Sequence, residues 1–151
     1  MNVHPTEYRY QKEIIKYLSS HEFNGLKYTY LKDGKYDYDR FKCIIPSETL
    51  KFIEKTQPDT YKDILKYTDD SEKFISKLVD DSVKRNGLIK TLKDGVEDFN
   101  VGHIDLIYFN PDREISQSYL KKYQENRFVV VDEFKYSVKN ENRIDVVLII
   151  N

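Results

Sequence analysis

The sequence predicts an α/β protein with helices packed on a mixed β-sheet. Three observations carry that expectation. Several segments in the first three quarters place apolar residues at helical spacing. The last quarter holds two β-rich runs, "RFVVVDEFKYS" and "RIDVVLII", joined by the polar "VKNEN" in the manner of a hairpin. Between these regions "VGHIDLIYF" has the apolar content of a strand.

Taken in order, Thr6 is placed to cap a first helix after Pro5, and Tyr10, Ile14, Tyr17 and Leu18 recur at helical spacing to about Ser19, so they are expected to face the sheet. "KYTYLKDGKYDYDRF" combines tyrosines with a Lys-Asp-Gly turn and a charge run, and reads as an irregular, partly extended connection. Ser47 can cap a short helix over "ETLKFIEKTQ", and Pro58 opens another in "PDTYKDILKY". The strongest helical signal spans Asp70 to Asn86. Asp69 stands three residues before Glu72, Phe74, Leu78 and Val79 form the apolar face, and Gly87 is the stop. After the "VGHIDLIYF" strand, "NPDR" reads as a turn and "ISQSYLKKYQENR" as a helix with Leu120 and Tyr123 inward. The final run, Ile144 to Ile150, is β-branched or Leu except at Asp145, the signature of a strand covered on both faces. A carboxylate in that setting requires a cation or several hydrogen-bond donors.

The 151 residues fit one domain of ordinary size, 1–151, with no second domain expected. With 25 Lys and Arg against 26 Asp and Glu, the net charge of -1 gives no whole-chain attraction to nucleic acid or to a membrane surface. Any such binding must use a local patch. No stretch reaches the length of a membrane-spanning helix, and "MNVHPTEYRY" lacks the apolar core of a signal peptide, so a cytoplasmic protein with no membrane partner is expected. The single cysteine, Cys43, rules out an intramolecular disulfide and a multi-thiolate zinc site. His4, His21 and His103 are scattered and form no helical metal-ligand pair. There is no Gly-rich phosphate loop, no Gly-x-Ser-x-Gly elbow and no Cys/His pair at a useful spacing. Carboxylates remain as carriers of chemistry, above all Asp145 and then Asp105 in "HIDLIYF", although an acid in either place also serves as an ordinary hydrogen-bond acceptor. The basic residues Lys84, Arg85, Lys121, Lys122 and Arg127 read as solvated helix ends with interspersed acids, and most tyrosines as packing residues.

Read in order, "FIEKTQPDTY", "GLIKTLKDGVEDF", "IYFNP" and "YQENRFVVVDEFKYSVKNENRIDVVLIIN" resemble the amino-terminal region of the R (restriction, motor) subunit of type I restriction-modification enzymes. The similarity runs from about Asp37 onward and is strongest after Gly87. Asn126, Arg127, Tyr136, Ser137, Asn140, Asp145 and Asn151 occupy the positions of the family's Asn-Arg, Tyr-Ser, Asn-rich turn, single Asp and Asn that precedes Gly-Leu-Pro. The resemblance implies a restriction-endonuclease-like fold of the PD-(D/E)xK type, truncated before the Glu-x-Lys strand, with Asp145 as the catalytic, metal-binding aspartate. It also implies a parent enzyme that uses Mg²⁺ for cleavage and ATP for translocation, in translocase domains beyond these residues. The implied partners are DNA and the methylation and specificity subunits. Where the family carries an acid on its first helix, this sequence has Gln11, with Glu7 and Glu13 nearby. Without the Glu-x-Lys strand the chain alone is expected to be inactive. The competing expectation is a non-enzymatic module that keeps the fold and binds DNA or the other subunits.

Overall fold

A computed structural model describes residues 5–32, 36–110 and 117–151. In chain order the elements are α1 (Pro5–Ser20), β1 (Tyr28–Leu31), α2 (Pro46–Thr56), α3 (Pro58–Tyr67), α4 (Ser71–Asn86), α5 (Leu88–Asp94), β2 (Val96–Asp98), β3 (Gly102–Ile104), α6 (Gln117–Gln124), β4 (Phe128–Lys135) and β5 (Arg143–Ile150). The fold is mixed α/β, with a small mixed sheet of three strands and a separate two-stranded ribbon. The chain forms two compact units, Met1–Tyr36 with Arg127–Ile150, and Asp37–Asn126 with Asn151.

In the first unit the strand order is β1-β4-β5. β1 runs parallel to β4 from Tyr28↔Phe128 to Leu31↔Val131, and β5 runs antiparallel to β4 from Phe128↔Ile150 to Lys135↔Arg143. The central strand is therefore β4, and it is the one covered on both faces: Val129, Val130 and Val131 are fully buried and Phe128, Asp132 and Phe134 nearly so. This corrects the expectation for the last run of the chain. Among the described residues β5 pairs with β4 alone, and Ile144, Leu148 and Ile150 are exposed. Two equally apolar strands read alike in sequence, and strand order separates them. The stretch expected to be an irregular, partly extended connection contains β1 as its extended part, and what no local pattern shows is its parallel pairing with β4.

α1 contacts all three strands. The stripe it turns inward differs from the expected one: Ile15 is buried, Gln11, Lys12 and Leu18 are half-buried, and Tyr10, Ile14 and Tyr17 are exposed. Polar Gln11 and Lys12 take the inner positions because the strands offer them hydrogen-bond partners. Tyr17 stacks instead on His21, with ring centroids 4.0 Å apart. α1 begins at Pro5, so Thr6 is its second residue and not the cap expected before it.

In the second unit α2, α3 and α4 pack around Phe52, Ile53, Ile64, Ile75 and Ile104, all fully buried. α4 keeps close to its predicted bounds, but its cap is Asp70 in place of the expected Asp69: Asp70 accepts from the Lys73 backbone N–H at 3.0 Å, and Gly87 ends the helix with φ 83. Phe74, Leu78 and Val79 border this core as expected, but Ile75 sits deeper. α2 starts at Pro46, and Ser47 caps nothing; its hydroxyl donates to Asp37 Oδ1 at 2.6 Å. The predicted strand after Gly87 shrinks to β3, paired with β2, and the sequence reading passed over α5 and β2. α6 buries none of its residues, and Leu120 is exposed. The turn expected at "NPDR" lies outside the described residues from Pro111 on.

Candidate functional site

The polar side chains that the sheet gathers in the first unit lie where α1 crosses β4. Lys12 Nζ is 3.1 Å from Asp132 Oδ2 and 3.4 Å from the Tyr30 hydroxyl, and that hydroxyl donates to the same Asp132 oxygen at 2.9 Å. Tyr30 and Val130 are register partners on β1 and β4, which brings the phenol beside Asp132 two residues on. The Asp132 side chain is 8% exposed and that of Lys12 38%. The hydrogen bond with Asp132 raises the Lys12 ammonium above its ordinary 10.5, against the lowering by burial. Burial first, and the hydrogen bond with Asp132 second, raise the Tyr30 phenol. A buried carboxylate is stable only when its charge is met, and here one ammonium and one hydroxyl meet it on a single oxygen. Asp132 Oδ1 is buried and has no hydrogen-bond partner among the described residues.

The next residue departs from strand geometry. Glu133 has φ 50, in the left-handed region that favours glycine, and the β4–β5 register skips it together with Asp145. Successive side chains of a strand point to opposite faces, yet Glu133 reaches α1 as Asp132 does: Gln11 Nε2 donates to Glu133 Oε1 at 3.2 Å. The same amide nitrogen lies 2.7 Å from the backbone carbonyl oxygen of Asp145. Arg143 Nη1 stands 3.5 Å from Glu133 Oε2. The interruption of the ladder is thus bridged from above by Gln11 and flanked by Arg143.

Asp145, the residue singled out in the sequence, is on β5 at this interruption, and it is exposed. The compensation expected for a buried carboxylate is therefore not required. Among the three candidates on the first helix, Gln11 is the one that reaches β5; Glu7 is exposed and Glu13 pairs with Arg9 at 3.0 Å. Asp132, Lys12, Tyr30 and Glu133 were missed by the sequence reading. The sequence carries a signal for Asp132, because an acid in the valine run of "VVVDEFK" needs its charge met as much as one in "RIDVVLII".

Other candidates make local contacts. Asp105 Oδ1 takes a contact from His103 Nε2 at 3.0 Å, and the Gln57 side-chain amide clamps the Asp105 backbone through N–H and C=O at 2.8 and 3.0 Å. Lys84 pairs with Asp80 at 2.7 Å, and Lys122 lies over the Tyr108 ring. Of the motif residues, Asn126 and Asn151 meet: Asn151 Nδ2 donates to Asn126 Oδ1 at 2.9 Å and to the Leu106 carbonyl at 3.0 Å, while Asn126 Nδ2 donates to the Tyr108 and Tyr123 carbonyls. Asn140 and Ser137 shape the turn before β5 by accepting from the Asn142 and Lys139 backbone N–H groups.

Among the described residues no group of three or more His, Cys, Asp or Glu side chains could hold a metal ion, and none is gathered around Asp145. No helix among them is long and apolar enough to cross a membrane. The chain matches no model of a known family, no curated protein and no solved structure. The resemblance to the restriction subunit accordingly rests on the motifs themselves.

Proposed function

We propose that this chain is the amino-terminal part of the endonuclease region of a type I restriction R subunit, a restriction-endonuclease-like fold whose parent cleaves DNA with Mg²⁺ and translocates it with ATP. The observation that carries the reading is the convergence of motif residues distant in sequence. Asn126 and Asn151 hydrogen-bond across 25 positions, and Asp145 lies on a hairpin strand beneath the first helix, whose Gln11 takes its backbone carbonyl. In this reading Asp145 is the aspartate of the PD-(D/E)xK pair and supplies one metal ligand. One exposed carboxylate does not make a Mg²⁺ site, since the ion dehydrates reluctantly and needs several hard oxygens in octahedral array. The residues at Asp145 therefore do not by themselves fit the ion. DNA and the methylation and specificity subunits are the partners that the reading implies.

The gene decides the matter directly. Read onward from the codon for Asn151, an in-frame Gly-Leu-Pro followed by a strand with Glu-x-Lys is the expected result; a reading frame without them overturns the proposal. The 151-residue chain is expected to leave supercoiled plasmid intact in Mg²⁺. Nicking that disappears in Asp145→Ala would show the site to be differently built.

A further inference from the structure

We propose that the cavity between the segment leading into α2 and the first turns of α4 is a binding site for an organic ammonium ion of the size of a small diamine. The cavity lies wholly within the second unit and has a volume of about 370 Å³, enough for a small molecule. Four carboxyl groups, those of Asp37, Asp39, Asp70 and Glu72, line it against the two ammonium groups of Lys42 and Lys73, and Lys42 is already spent on Asp39 at 3.7 Å. What points to a ligand is Ser76. It is 3% exposed, it lines the cavity, and its hydroxyl has no hydrogen-bond partner among the described residues. A buried hydroxyl is ordinarily paired, so this one lacks a partner that only the cavity can supply.

Asp37 and Glu72 give the site its sign. Their carboxyl groups are within hydrogen-bond reach of each other, and among the described residues no cation pairs with either. Two carboxylates are both acceptors, so that contact requires a proton or another cation between them. Burial works to raise the Asp37 carboxyl, but its hydrogen bonds with Glu72 and Ser47 outweigh this and lower it below 3.8; the hydrogen bond with Asp37, and then burial, raise Glu72 above 4.5. An ammonium ion can replace the shared proton, donating to both acids and to the Ser76 oxygen. The chemistry is that of an organic cation: no three acids among the described residues are gathered to hold a metal ion, and Tyr38 adds to the lining an aromatic side chain of the kind that attracts such cations. The inference does not rest on the nuclease reading.

The test is calorimetric titration of the 151-residue chain with the diamine putrescine, the backbone amides being followed by NMR. The expected result is saturable binding that shifts the amides of Asp37, Glu72 and Ser76. It should weaken roughly tenfold or more in Asp37→Asn and Glu72→Gln and about threefold in Ser76→Ala, and stay unchanged in Asp59→Asn, an exposed acid on α3 outside the cavity. Glu72→Gln is the variant that keeps the fold, because Glu72 is exposed in the first turn of α4. Lysine amide acetylated at its α-nitrogen, titrated in parallel, separates a free amine from the side chain of a partner protein: tighter binding of that probe supports the site and makes a lysine its occupant. No saturable binding of either probe, binding that the three cavity variants leave unchanged, or equal weakening in Asp59→Asn would overturn the site. Displacement of putrescine by Mg²⁺ at a lower concentration than putrescine itself requires would overturn it in favour of a metal.

Discussion

Asp132 and Asp145 lie on neighbouring strands of one sheet, and the register that pairs Asp132 with Val146 makes them near neighbours. Their chemistry is opposite. Asp132, on central β4, is buried and held by an ammonium and a phenol, with one oxygen unmet. Asp145, on β5 at the side of the sheet, is exposed, and it enters the network through its backbone alone. An aspartate in an apolar run is thus no measure of burial. Strand order decides whether its charge is an energetic problem to be solved locally or a solvated group free to meet a partner.

The sharpest way to break this comparison is to put a new acid on each strand. Val130→Asp buries an unpaired carboxylate in a fully covered position and should cost more than about 4 kcal/mol, abolishing the folding transition; Leu148→Asp, on the half-exposed strand, should cost under about 1 kcal/mol. Urea unfolding of both variants checks the pair, and equal losses would show β5 to be as buried as β4. Removing the existing charges comes next. Asp132→Asn gives up two charge-assisted hydrogen bonds and should cost about 1.5–3 kcal/mol, whereas Asp145→Asn should stay within about 0.5 kcal/mol. Glu133→Gly is expected to stabilise by about 0.5–1 kcal/mol, since relief of the left-handed backbone outweighs the contacts to Gln11 and to exposed Arg143. A loss of stability in that variant would mean that the Gln11 bridge holds the hairpin to α1.

What was legible in the sequence follows the range of the interactions involved. α3 and α4 were readable because their signals are local: Pro58 opens one, and Gly87 stops the other, whose cap is Asp70, one residue beyond the expected Asp69. The mixed α/β class was readable from the same periodicities. β1 was not, because its strand character comes from a parallel partner a hundred residues away, and the inward face of α1 was not, because Gln11 and Lys12 are drawn in by acceptors on β4 and β5. The candidate site was less legible: Asp145 was expected through its carboxylate and enters through its backbone carbonyl, Gln11 was one of three first-helix candidates beside Glu7 and Glu13, and the pairing of Asp132 with Lys12 and Tyr30 and the turn at Glu133 depend on strand order and a backbone angle.

The smallest expected effect is also the most specific to Asp132. Lys12 is raised above 10.5 by its hydrogen bond with Asp132, and Tyr30 above 10.0 by burial and then by the same carboxylate. Each group binds its proton more tightly in the folded chain than in the unfolded one. Their contribution is therefore fully present below about pH 10 and is lost as the pH rises through the raised folded values. Because Lys12 is more than a third exposed, solvent screening limits its share to a few tenths of a kcal/mol. Chemical denaturation between pH 8 and about pH 11 should show stability falling on the alkaline side, with a shallower slope in Lys12→Met and in Tyr30→Phe. Asp145→Asn should reproduce the unmodified slope, since among the described residues its carboxylate contacts neither group; a flattened slope in that variant would join the two aspartates into one electrostatic unit and remove the distinction between the strands.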